Sequence, residues 1–497
     1  MFDICVDKLN NATYVLHFES DEGIGRELSE HFKFRVPGYK FNPDFKMGVW
    51  DGFIRLYNRR SHELPSGLIH ELIRFSLDFG YKLDIDPDIH LPKKGDESVV
   101  DVKEMFNSFN LEFDPYDYQE QAVEKILTSQ KRMILSPTSS GKSFILYGAI
   151  RALLEEQNRP QRRILLVVPT TSLVEQMCGD FADYSKDNGW DVDKYCHKIY
   201  SGKEKRNTSP VTVTTWQSIY KCGKKWFEHF DAVFVDEAHL ASASSISSIM
   251  DKCVNAEYRI GLTGTIEDSL THELKLVALF GRILETITTK EMMDKGMVSE
   301  LTIQAIVIDH DDSVKKAVAA MSYDDEIDTI ISDDVKNKFI CKLALAQPGN
   351  TLILFRFKDR HGIPLCAHLR DLNTRGKTIF YVDGDTPVIE REEIRAYTEE
   401  HDDVIIVASY GTFSTGINIK NLQSVIFAHP YKSKIKILQS IGRCLRKSTR
   451  SSRATLFDIV SDYKWKSKPN TTLKHFKSRL ALYKKAEFIV KMRKLKI

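Results

Sequence analysis

The sequence predicts an α/β protein with two parallel-sheet domains in tandem and a smaller α/β region before them. Three observations predict this architecture. The first is a series of short apolar segments that alternate with polar or helical stretches, as strands covered on both faces do: ILLVVP, VTVTT, AVFVDEAH and YRIGLTGT. The second is a later series of the same kind: LTIQAIVID, TLILFRF, KTIFYVDG, DVIIVAS and SVIFAHP. The third is the length of 497 residues, which suits roughly three domains of about 100–200 residues.

Turn signals and composition divide the chain further. Near the start, KMGVW and FIRLY flank Asp51-Gly52, a dipeptide typical of tight hairpin turns, and SGLIHELIRFSLDFG has helical apolar spacing. The polar stretch HLPKKGDESVVD predicts a linker, and we expect the two large domains to join near residues 285–300. The predicted parts are an N-terminal accessory domain, a linker, two large domains and a basic tail, at residues 1–90, 91–113, 114–290, 291–462 and 463–497.

Charge is balanced over the whole chain but not along it. The chain has 71 Lys and Arg against 69 Asp and Glu, yet the segment from Tyr463 onward holds twelve Lys or Arg and one Glu. Such a tail indicates either a polyanionic partner or a solvated helix face. The eight cysteines are scattered without metal-ligand spacing, and no apolar run approaches the ~18 residues of a membrane span. We therefore expect a cytoplasmic protein with reduced thiols, no signal sequence and no membrane partner.

Residues 136–143 read SPTSSGKS, which ends as a phosphate-binding loop does. A strand before this stretch and a helix after it would point backbone N–H groups at a triphosphate. Lys142 would reach the β and γ phosphates, and Ser143 would hold Mg²⁺. The candidate ATP-binding residues are Thr138, Ser139, Ser140, Gly141, Lys142 and Ser143. Taken alone, the last three also occur at ordinary helix starts, so the assignment depends on a partner motif.

The partner motif is AVFVDEAH, which places Asp236 and Glu237 at the end of an apolar strand. Two carboxylates at such a position are poorly hydrated unless a cation needs them. Asp236 would ligate Mg²⁺ through water, and Glu237 would orient or deprotonate the attacking water. The alternative is a helix start with acidic first residues, which the phosphate loop upstream disfavours.

Seven stretches occur in the order found in superfamily 2 helicases and translocases, and the chain resembles that superfamily over residues 115–446. They are SPTSSGKS as motif I, VPTTSLVEQ as Ia, VTTWQS as a later DNA-contact motif, DEAH as II, GLTGT as III, SYGTFSTGIN as V and QSIGRCLR as VI. The resemblance implies two RecA-like domains, with ATP and Mg²⁺ as cofactors. It also implies that Gly416 contacts the nucleotide and that His239, Thr263, Thr265 and Gln439 couple hydrolysis to movement.

Two positions depart from the family pattern. Motif I commonly begins with a small residue, so Ser136 fits, but Ser139 replaces the middle glycine of the loop. Likewise Thr263-Gly264-Thr265 stands where the family more often has S/T-A-T.

Candidate residues for binding the γ-phosphate and the adenine of ATP come from the two ends of residues 115–446. Arg443 and Arg446 lie three apart on an expected helix, and a guanidinium stabilises the charge of a transferring phosphoryl group bidentately. Arg443 matches the finger position of the family, whereas Arg446 is also consistent with a basic surface helix. Gln119 in DPYDYQEQAV resembles the glutamine that reads adenine, and the alternative is a buried or capping glutamine.

Hydroxyl and amide side chains in strand-to-helix loops are suited to phosphates rather than to bases. The candidate nucleic-acid contacts are Thr170, Thr171, Thr214, Thr215, Gln217, Thr412, Ser414, Thr415 and Asn418. Turn chemistry is the alternative for each loop considered alone. Together they predict one strand followed by its backbone, without sequence readout.

The subclass follows from finer resemblance. Motif VI reads Q-S-I-G-R-C-L-R and motif III reads T-G-T, which favours DNA-directed members over DEAH-box RNA helicases. The stretches GYKFNPDFKMGVWDGFIRLYNRR and ASYGTFSTGINIKNLQSVIFAHPYKSKIKILQSIGRCLRK resemble the UvsW-type recombination helicases of T-even phages. This resemblance implies remodelling of branched DNA, by fork regression, Holliday junction migration and removal of D- or R-loops, in the cytoplasm of a phage host.

The predicted N-terminal hairpin interleaves aromatic and basic side chains. We expect its aromatic residues to lie mainly in the core; they are Phe41, Phe45, Trp50, Phe53 and Tyr57. Its basic residues are candidate duplex contacts; they are Lys46, Arg55, Arg59 and Arg60.

Three readings of the function are open at this point. The first is a monomeric ATP-driven DNA helicase that prefers branched or forked DNA, with RNA–DNA hybrids as a further substrate. The second is a duplex translocase without strand separation, or an RNA helicase. The third is a scaffold with a vestigial ATPase, which the intact Lys142, Asp236, Glu237 and Arg443 disfavour.

Overall fold

The structure is a computed structural model. It describes residues 2–19, 23–36, 38–91, 101–156, 159, 161–200, 208–242, 244–266, 270–412, 419, 421–431, 433, 437, 440–442 and 453–496. The chain divides into two compact units, residues 1–136 with 141–286 and residues 137–140 with 287–497. Among the described helices none has the length and apolar character needed to cross a membrane.

A four-stranded mixed sheet forms the N-terminal region. Its strands are β1 (Ile4–Lys8), β2 (Thr13–Phe18), β5 (Glu63–Pro65) and β6 (Leu83–Ile85), in the order β5-β2-β1-β6. A separate antiparallel pair consists of β3 (Lys33–Arg35) and β4 (Phe53–Arg55). The helices are α1 (Gly23–His31), α2 (Pro43–Lys46) and α3 (Ile69–Phe79).

The sequence predicts a hairpin around Asp51-Gly52, and its first predicted strand, KMGVW, is wrong. Gly52 has the expected positive φ of 82°, but the partner of β4 is β3, and KMGVW belongs to the end of α2 and a turn. Seventeen residues, 36–52, are therefore inserted between the two strands. The aromatic residues are also less buried than predicted, since Tyr57 is 1% exposed while Phe41 is 82% exposed.

The N-terminal region is not separate from the first large sheet. Its apolar core includes Val277 and Ala278, and the Oη atom of Tyr14 accepts a hydrogen bond from Lys131 Nζ at 2.7 Å. At Gly67 a Cβ atom would lie 2.2 Å from the carbonyl oxygen of Val277, so this approach requires glycine. The accessory region and the first sheet thus belong to one packed unit.

The first large sheet has seven parallel strands. They are β7 (Lys131–Leu135), β8 (Ile164–Val168), β9 (Cys196–Ile199), β10 (Val211–Thr215), β11 (Ala232–Val235), β12 (Tyr258–Thr263) and β13 (Ile283–Glu285), in the order β13-β7-β12-β11-β8-β10-β9. The helices of this part are α4 (Val102–Ser108), α5 (Asp117–Ser129), α6 (Lys142–Glu155), α7 (Thr171–Tyr184), α8 (Val192–Tyr195), α9 (Trp216–Ile219), α10 (Lys224–Phe227), α11 (Ser244–Lys252) and α12 (Leu270–Phe280). Successive residues of one strand enter different cores, as Leu165 and Leu166 do, so both faces of the sheet are covered.

The predicted linker is partly folded. Residues 92–100 lie outside the described part of the chain, but α4 follows with Asp101 as its N-cap. Phe106 and Phe109 are buried in the core of the first sheet. The stretch HLPKKGDESVVD predicts a linker because it is polar, and it ends where α4 begins.

The second large sheet also has seven parallel strands. They are β14 (Glu300–Asp309), β15 (Thr351–Phe355), β16 (Thr378–Val382), β17 (Val404–Ser409), β18 (Ser424–Phe427), β19 (Arg453–Asp462) and β20 (Ile489–Lys496), in the order β16-β17-β15-β18-β19-β14-β20. The helices are α13 (Thr289–Asp294), α14 (Asp312–Val318), α15 (Tyr323–Ser332), α16 (Asp334–Ala346), α17 (Ile363–Asp371), α18 (Val388–Glu400) and α19 (Thr471–Lys485). Two parallel sheets in tandem confirm the predicted fold class.

The predicted basic tail is an integral part of the second sheet. Its helix α19 buries Leu473 and Phe476 against Ala305 and Val307 of β14, and β20 pairs in parallel with β14 from Thr302 to Asp309. Apolar residues at helical spacing between the lysines cause this packing. The count of charged residues does not reveal this helical spacing of apolar residues.

Candidate functional site

The phosphate loop connects the end of β7 to the start of α6, as its sequence predicts. Ser136, which stands at the first loop position, is fully buried. Its N–H donates to the carbonyl oxygen of Thr263 at 2.9 Å, and its hydroxyl accepts from Thr286 Oγ1 at 2.8 Å. A serine therefore fits here because the fold supplies partners for its hydroxyl.

Two loop residues have left-handed backbone. Gly141 is at φ 80° and caps α6, and Ser139 is at φ 70°. An L-residue in this region costs about 1–2 kcal/mol, which explains why the family pattern has glycine where this chain has Ser139. Ser140 stabilises the turn, since its hydroxyl donates to the carbonyl oxygen of Pro137 at 2.7 Å. The loop keeps its path at the cost of local strain.

Lys142 and Asp236 lie in the same site, although about ninety-five residues separate them. The Nζ atom of Lys142 donates to the carbonyl oxygen of Ser136 at 3.2 Å. Burial, and then the neighbouring Glu237 carboxylate, raises the pKa of Asp236, while the ammonium of Lys142 acts in the opposite direction. The two motifs thus meet at the carboxyl ends of β7 and β11, which β12 separates in the sheet, and ligands of parallel α/β sheets bind at this edge.

The Asp236 carboxylate fits a cation. Its side chain is buried, and its Oδ1 atom has no hydrogen-bond partner among the described residues. Mg²⁺ is commonly held by one or two carboxylates and by substrate phosphates, so a single buried acid beside a phosphate loop suffices. The described residues contain no group of three or more His, Cys, Asp or Glu side chains placed to hold a metal. The Ser143 hydroxyl lies 2.9 Å from the hydroxyl of Tyr184.

Glu237, His239 and Thr263 form a hydrogen-bonded cluster. The Nδ1 atom of His239 lies 2.9 Å from Thr263 Oγ1 and 3.2 Å from Glu237 Oε2. Thr263 Oγ1 also lies 3.0 Å from the carbonyl oxygen of Thr265, which can only accept. Thr263 Oγ1 lies 3.5 Å from Glu237 Oε2 as well, so the Thr263 hydroxyl can donate to either oxygen, and a His239 tautomer protonated at Nδ1 would donate to Thr263. The structure brings these three predicted coupling residues together with the candidate base.

Gln119 has the geometry of a capping residue. Its Oε1 accepts from the Tyr116 N–H at 3.0 Å at the start of α5, and its side chain is 5% exposed. Its Nε2 lies next to the phosphate loop, since a Cβ atom on Gly141 would be 2.4 Å from it. The capping alternative is observed, and the reading of adenine by Gln119 stays a prediction.

The candidate nucleic-acid contacts of the first sheet fall into two groups. Thr171 and Gln217 are exposed, and Thr170 caps α7 with its hydroxyl accepting from the Leu173 N–H at 3.3 Å. Thr214 and Thr215 are buried; the Thr214 hydroxyl donates to the carbonyl oxygen of Ile199 at 2.8 Å. The Thr214 hydroxyl is therefore used within the sheet, and its contact with nucleic acid stays a prediction.

Most second-domain candidates lie outside the described residues. They are Ser414, Thr415, Gly416, Asn418, Gln439, Arg443 and Arg446. Thr412 is described and 6% exposed, and its Oγ1 lies 2.8 Å from Ser409 Oγ. Its hydroxyl therefore takes part in a local turn at the end of β17, which is the alternative that the sequence left open.

Two residues of the site were not predicted from the sequence. Thr286 bonds the first loop serine, and Tyr184 bonds Ser143. Thr286 directly follows β13 and Tyr184 ends α7, so neither sits in a motif. The contact of Thr286 with Ser136 could be predicted only from the pairing of β13 with β7, which the sequence does not show.

Family models match three consecutive parts of the chain. The N-terminal model of the DNA helicase UvsW matches residues 6–86, the model of the Type III restriction enzyme res subunit matches residues 112–268, and the helicase conserved C-terminal domain matches residues 335–448.

Similar proteins extend over nearly the full length. The ATP-dependent DNA helicase uvsW of Enterobacteria phage T4 is 36% identical over 93% of this chain and 91% of its own length. A crystal structure of T4 UvsW matches with a TM-score of 0.52 and 33% identity, over 99% of both chains. A structure of Saccharomyces cerevisiae Dbp5 bound to RNA matches with a TM-score of 0.52 and 14% identity, over 80% of this chain and 94% of that one, which shows the fold alone. The chain therefore belongs to the UvsW family of superfamily 2 helicases.

Proposed function

We propose that this protein is an ATP-dependent DNA helicase that remodels branched DNA, by fork regression, Holliday junction migration and unwinding of D- and R-loops. The observation that carries the proposal is the meeting of Lys142, Asp236 and the Glu237–His239–Thr263 cluster at one end of the first sheet. This arrangement supplies a phosphate-binding cation, a metal-binding carboxylate and a base tied to a second motif. The relation to the T4 helicase supports DNA as the substrate.

In this proposal each residue has one task. Lys142 binds the β and γ phosphates, and Asp236 with Ser143 holds Mg²⁺, which would supply charge neutralisation on the phosphates. Glu237 accepts the proton of the attacking water or orients it. His239 and Thr263 hold Glu237 in place and relate its position to the segment after β12. Arg443 completes the site at the γ-phosphate, and Arg446 and Gly416 assist nucleotide binding.

The nucleic-acid contacts follow the same logic. Thr170, Thr171 and Gln217, at the carboxyl ends of β8 and β10, would bind the backbone of one strand. Ser414, Thr415 and Asn418 would do the same in the second domain. We further propose that the protein acts as a monomer in the cytoplasm of the phage host and that RNA–DNA hybrids are substrates as well.

A panel of labelled substrates tests the proposal. ATP hydrolysis and strand displacement are measured on forked, four-way, D-loop and R-loop DNA and on linear duplex of equal length. We expect DNA-stimulated hydrolysis and displacement of strands from the branched substrates, with little from the linear duplex. Lys142→Ala should abolish hydrolysis while DNA binding persists, and Lys125→Ala, an exposed lysine of α5, serves as the matched control.

Three outcomes would contradict the proposal. Hydrolysis without strand displacement on any branched substrate would favour a duplex translocase. Stimulation by RNA but not by DNA would favour an RNA helicase. Normal turnover in Lys142→Ala would remove the phosphate-loop assignment itself.

A further inference from the structure

The insertion between β3 and β4 is an ordered element with its own hydrogen bonds. Asn42 caps α2 by accepting from the Asp44 N–H at 2.8 Å, and the N–H groups of Val49 and Trp50 donate to the carbonyl oxygen of Asp44 at 3.0 and 3.2 Å. The indole N–H of Trp50 donates to the carbonyl oxygen of Phe53 at 2.7 Å. The backbone of residues 38–50, which we term the apolar tip, is therefore held in one conformation.

Three large apolar side chains of the apolar tip project into solvent. Phe41 is 82% exposed, Met47 is 67% exposed and Val49 is 78% exposed. Other aromatic residues of the same insertion do pack, since the rings of Tyr39 and Phe45 meet edge to face at 4.6 Å. The insertion thus partly buries the two rings that hold it together, and it leaves the side chains of Phe41, Met47 and Val49 exposed.

Positive charge surrounds the apolar tip. From residue 33 to residue 60 the chain has seven Lys or Arg against two Asp. Asp51 is paired with Arg55 at 2.7 Å, and Glu30, just before this segment, is paired with both Lys33 and Arg55. Lys40, before α2, and Lys46, the last residue of α2, are exposed, and no ion pair among the described residues includes either of them. This patch is complementary to a polyanion.

Two further cations fix the base of the insertion. The guanidinium of Arg35 lies 4.8 Å from the ring centroid of Tyr39 and 4.6 Å from that of Phe53, and Lys33 Nζ lies 4.5 Å from the Phe53 ring. Cation–π contacts of this kind rigidify an exposed element. A rigid base keeps the exposed side chains of the apolar tip available for contact with a partner, because the insertion cannot collapse onto the rest of the chain.

We propose that the apolar tip contacts the bases at a DNA branch point, with Phe41 stacking on a terminal or unpaired base and Lys40 and Lys46 on the adjoining phosphates. This inference rests on the proposed function. An exposed ring flanked by lysines is the arrangement of single-strand stacking platforms, which accept any base because every base has a π face. Linear duplex offers no accessible base face except at its ends, so the contact selects branched DNA. Three side chains are too small a patch for a stable protein interface, which commonly buries about 800 Å² on each partner.

The test compares apolar-tip variants with a control of equal exposure. Phe41→Ala and the triple variant Phe41→Ala/Met47→Ala/Val49→Ala are matched by Leu77→Ala, a 76% exposed leucine of α3 in the same N-terminal region. Affinity for a four-way junction and for a linear duplex is measured by fluorescence anisotropy. A 2-aminopurine base at the branch point reports stacking directly. Thermal unfolding midpoints check that each variant is folded.

We expect the triple variant to lose junction affinity by about 10-fold or more, on the scale of stacking by one base. Its affinity for linear duplex should change by less than about twofold, and the 2-aminopurine quenching should disappear. Phe41→Trp should restore both signals, because a larger ring stacks at least as well, and Leu77→Ala should match the unaltered protein.

Junction affinity and quenching that persist in the triple variant would overturn the inference, and so would an equal loss in Leu77→Ala. If the unaltered protein prefers branched DNA while the variants keep that preference, the inference fails and the proposed function stands. If the unaltered protein does not distinguish branched from linear DNA, both fail. A defect of the triple variant only in the presence of a second protein would assign the apolar tip to a protein partner and overturn its role on DNA.

Discussion

The Nδ1 atom of His239 lies 2.9 Å from Oγ1 of Thr263, and this contact joins the DEAH segment to the TGT segment at the end of the neighbouring strand. Both side chains are buried, and Glu237 Oε2 lies 3.2 Å from the same nitrogen. A displacement of the segment after β12 therefore changes the hydrogen bonds around the candidate base. We expect this contact to relate hydrolysis to the position of the segment that follows β12.

Removing this contact should separate hydrolysis from strand displacement. We expect Thr263→Val to keep DNA-stimulated hydrolysis within about 10-fold, because Glu237 and Lys142 remain, while strand displacement falls by more than about 10-fold. Both rates are measured on the same forked substrate. Thr128→Val, on α5, is the matched control. An equal loss in the two rates would show that Thr263 acts only on hydrolysis.

Arg443 lies outside the described residues, and its role stays a prediction from motif VI. We expect Arg443→Ala to keep nucleotide affinity within a modest factor and to lower turnover by roughly 10³-fold, because an arginine finger acts mainly in the transition state. Binding of a fluorescent ATP analogue and steady-state hydrolysis give the two quantities. Equal losses in both would place Arg443 in ground-state binding instead.

Deletion of residues 1–90 should destabilise the first unit as well as reduce activity on branched DNA. The deletion exposes Val277 and Ala278 of α12 and removes the Tyr14 partner of Lys131, whose pKa burial lowers to about 7. Each exposed apolar side chain costs on the order of 1 kcal/mol. Thermal unfolding of the truncated and full-length proteins measures the effect. An unchanged midpoint would show that the N-terminal region is energetically independent.

Two exposed lysines of α19 are candidate phosphate contacts, and their neighbour Arg479 is not. The Arg479 guanidinium is buried and binds Asp458 through Nε and Nη2, both at 2.8 Å. We expect Lys474→Glu/Lys477→Glu to weaken binding to all DNA sequences and to flatten the slope of log K against log salt by about 0.9 for each lost duplex contact. Arg479→Met should instead cost about 3–5 kcal/mol of stability, because it leaves the buried Asp458 carboxylate without its guanidinium partner and with the Tyr483 hydroxyl, at 3.0 Å, as a remaining donor. A stable Arg479→Met with weakened DNA binding would contradict this division.

Two buried histidines should make the second unit sensitive to acid. The rings of His361 and His429 are 6.4 Å apart, and none of their nitrogens has a hydrogen-bond partner among the described residues. Burial first, and then Lys336, lowers the pKa of His361 to about 3; burial first, and then His361, lowers that of His429 to about 2. The unfolded chain, with histidine pKa values near about 6.5, binds more protons below that pH, so stability is complete above pH ~6.5 and is lost as pH falls toward ~3.

The measurement is the thermal midpoint between pH 8 and pH 5. We expect it to fall below pH ~6.5 in the unaltered protein and to fall less steeply in His361→Gln/His429→Gln, whose side chains do not titrate. Parallel curves for the two proteins would assign the acid sensitivity to other groups.

The sequence predicted features that depend on neighbouring residues, such as a buried strand and the loop that follows it. The apolar runs located the large sheets because strands buried on both faces must be apolar throughout. The motifs located Lys142 and Asp236 because Asp236 directly follows β11 and Lys142 begins α6 after the short loop that follows β7. Long-range pairing was not readable in the same way: the partner of β4 is β3 across seventeen residues, and the hydroxyl partner of Ser136 is Thr286. Burial of Thr214 and of Arg479 was also hidden, because a polar residue looks the same in a sequence whether it faces solvent or a partner.

The position of β20 has a consequence for the solubility of the second sheet. β20 lies at the end of the strand order and pairs with the long apolar strand β14, so a chain cut before Ile489 would leave the backbone of β14 open to pairing with another molecule. The outer strand itself carries Lys491, Arg493, Lys494 and Lys496. Charged side chains on an outermost strand oppose the addition of a further strand. These four basic side chains therefore oppose aggregation through the edge of the second sheet, independently of any role in binding.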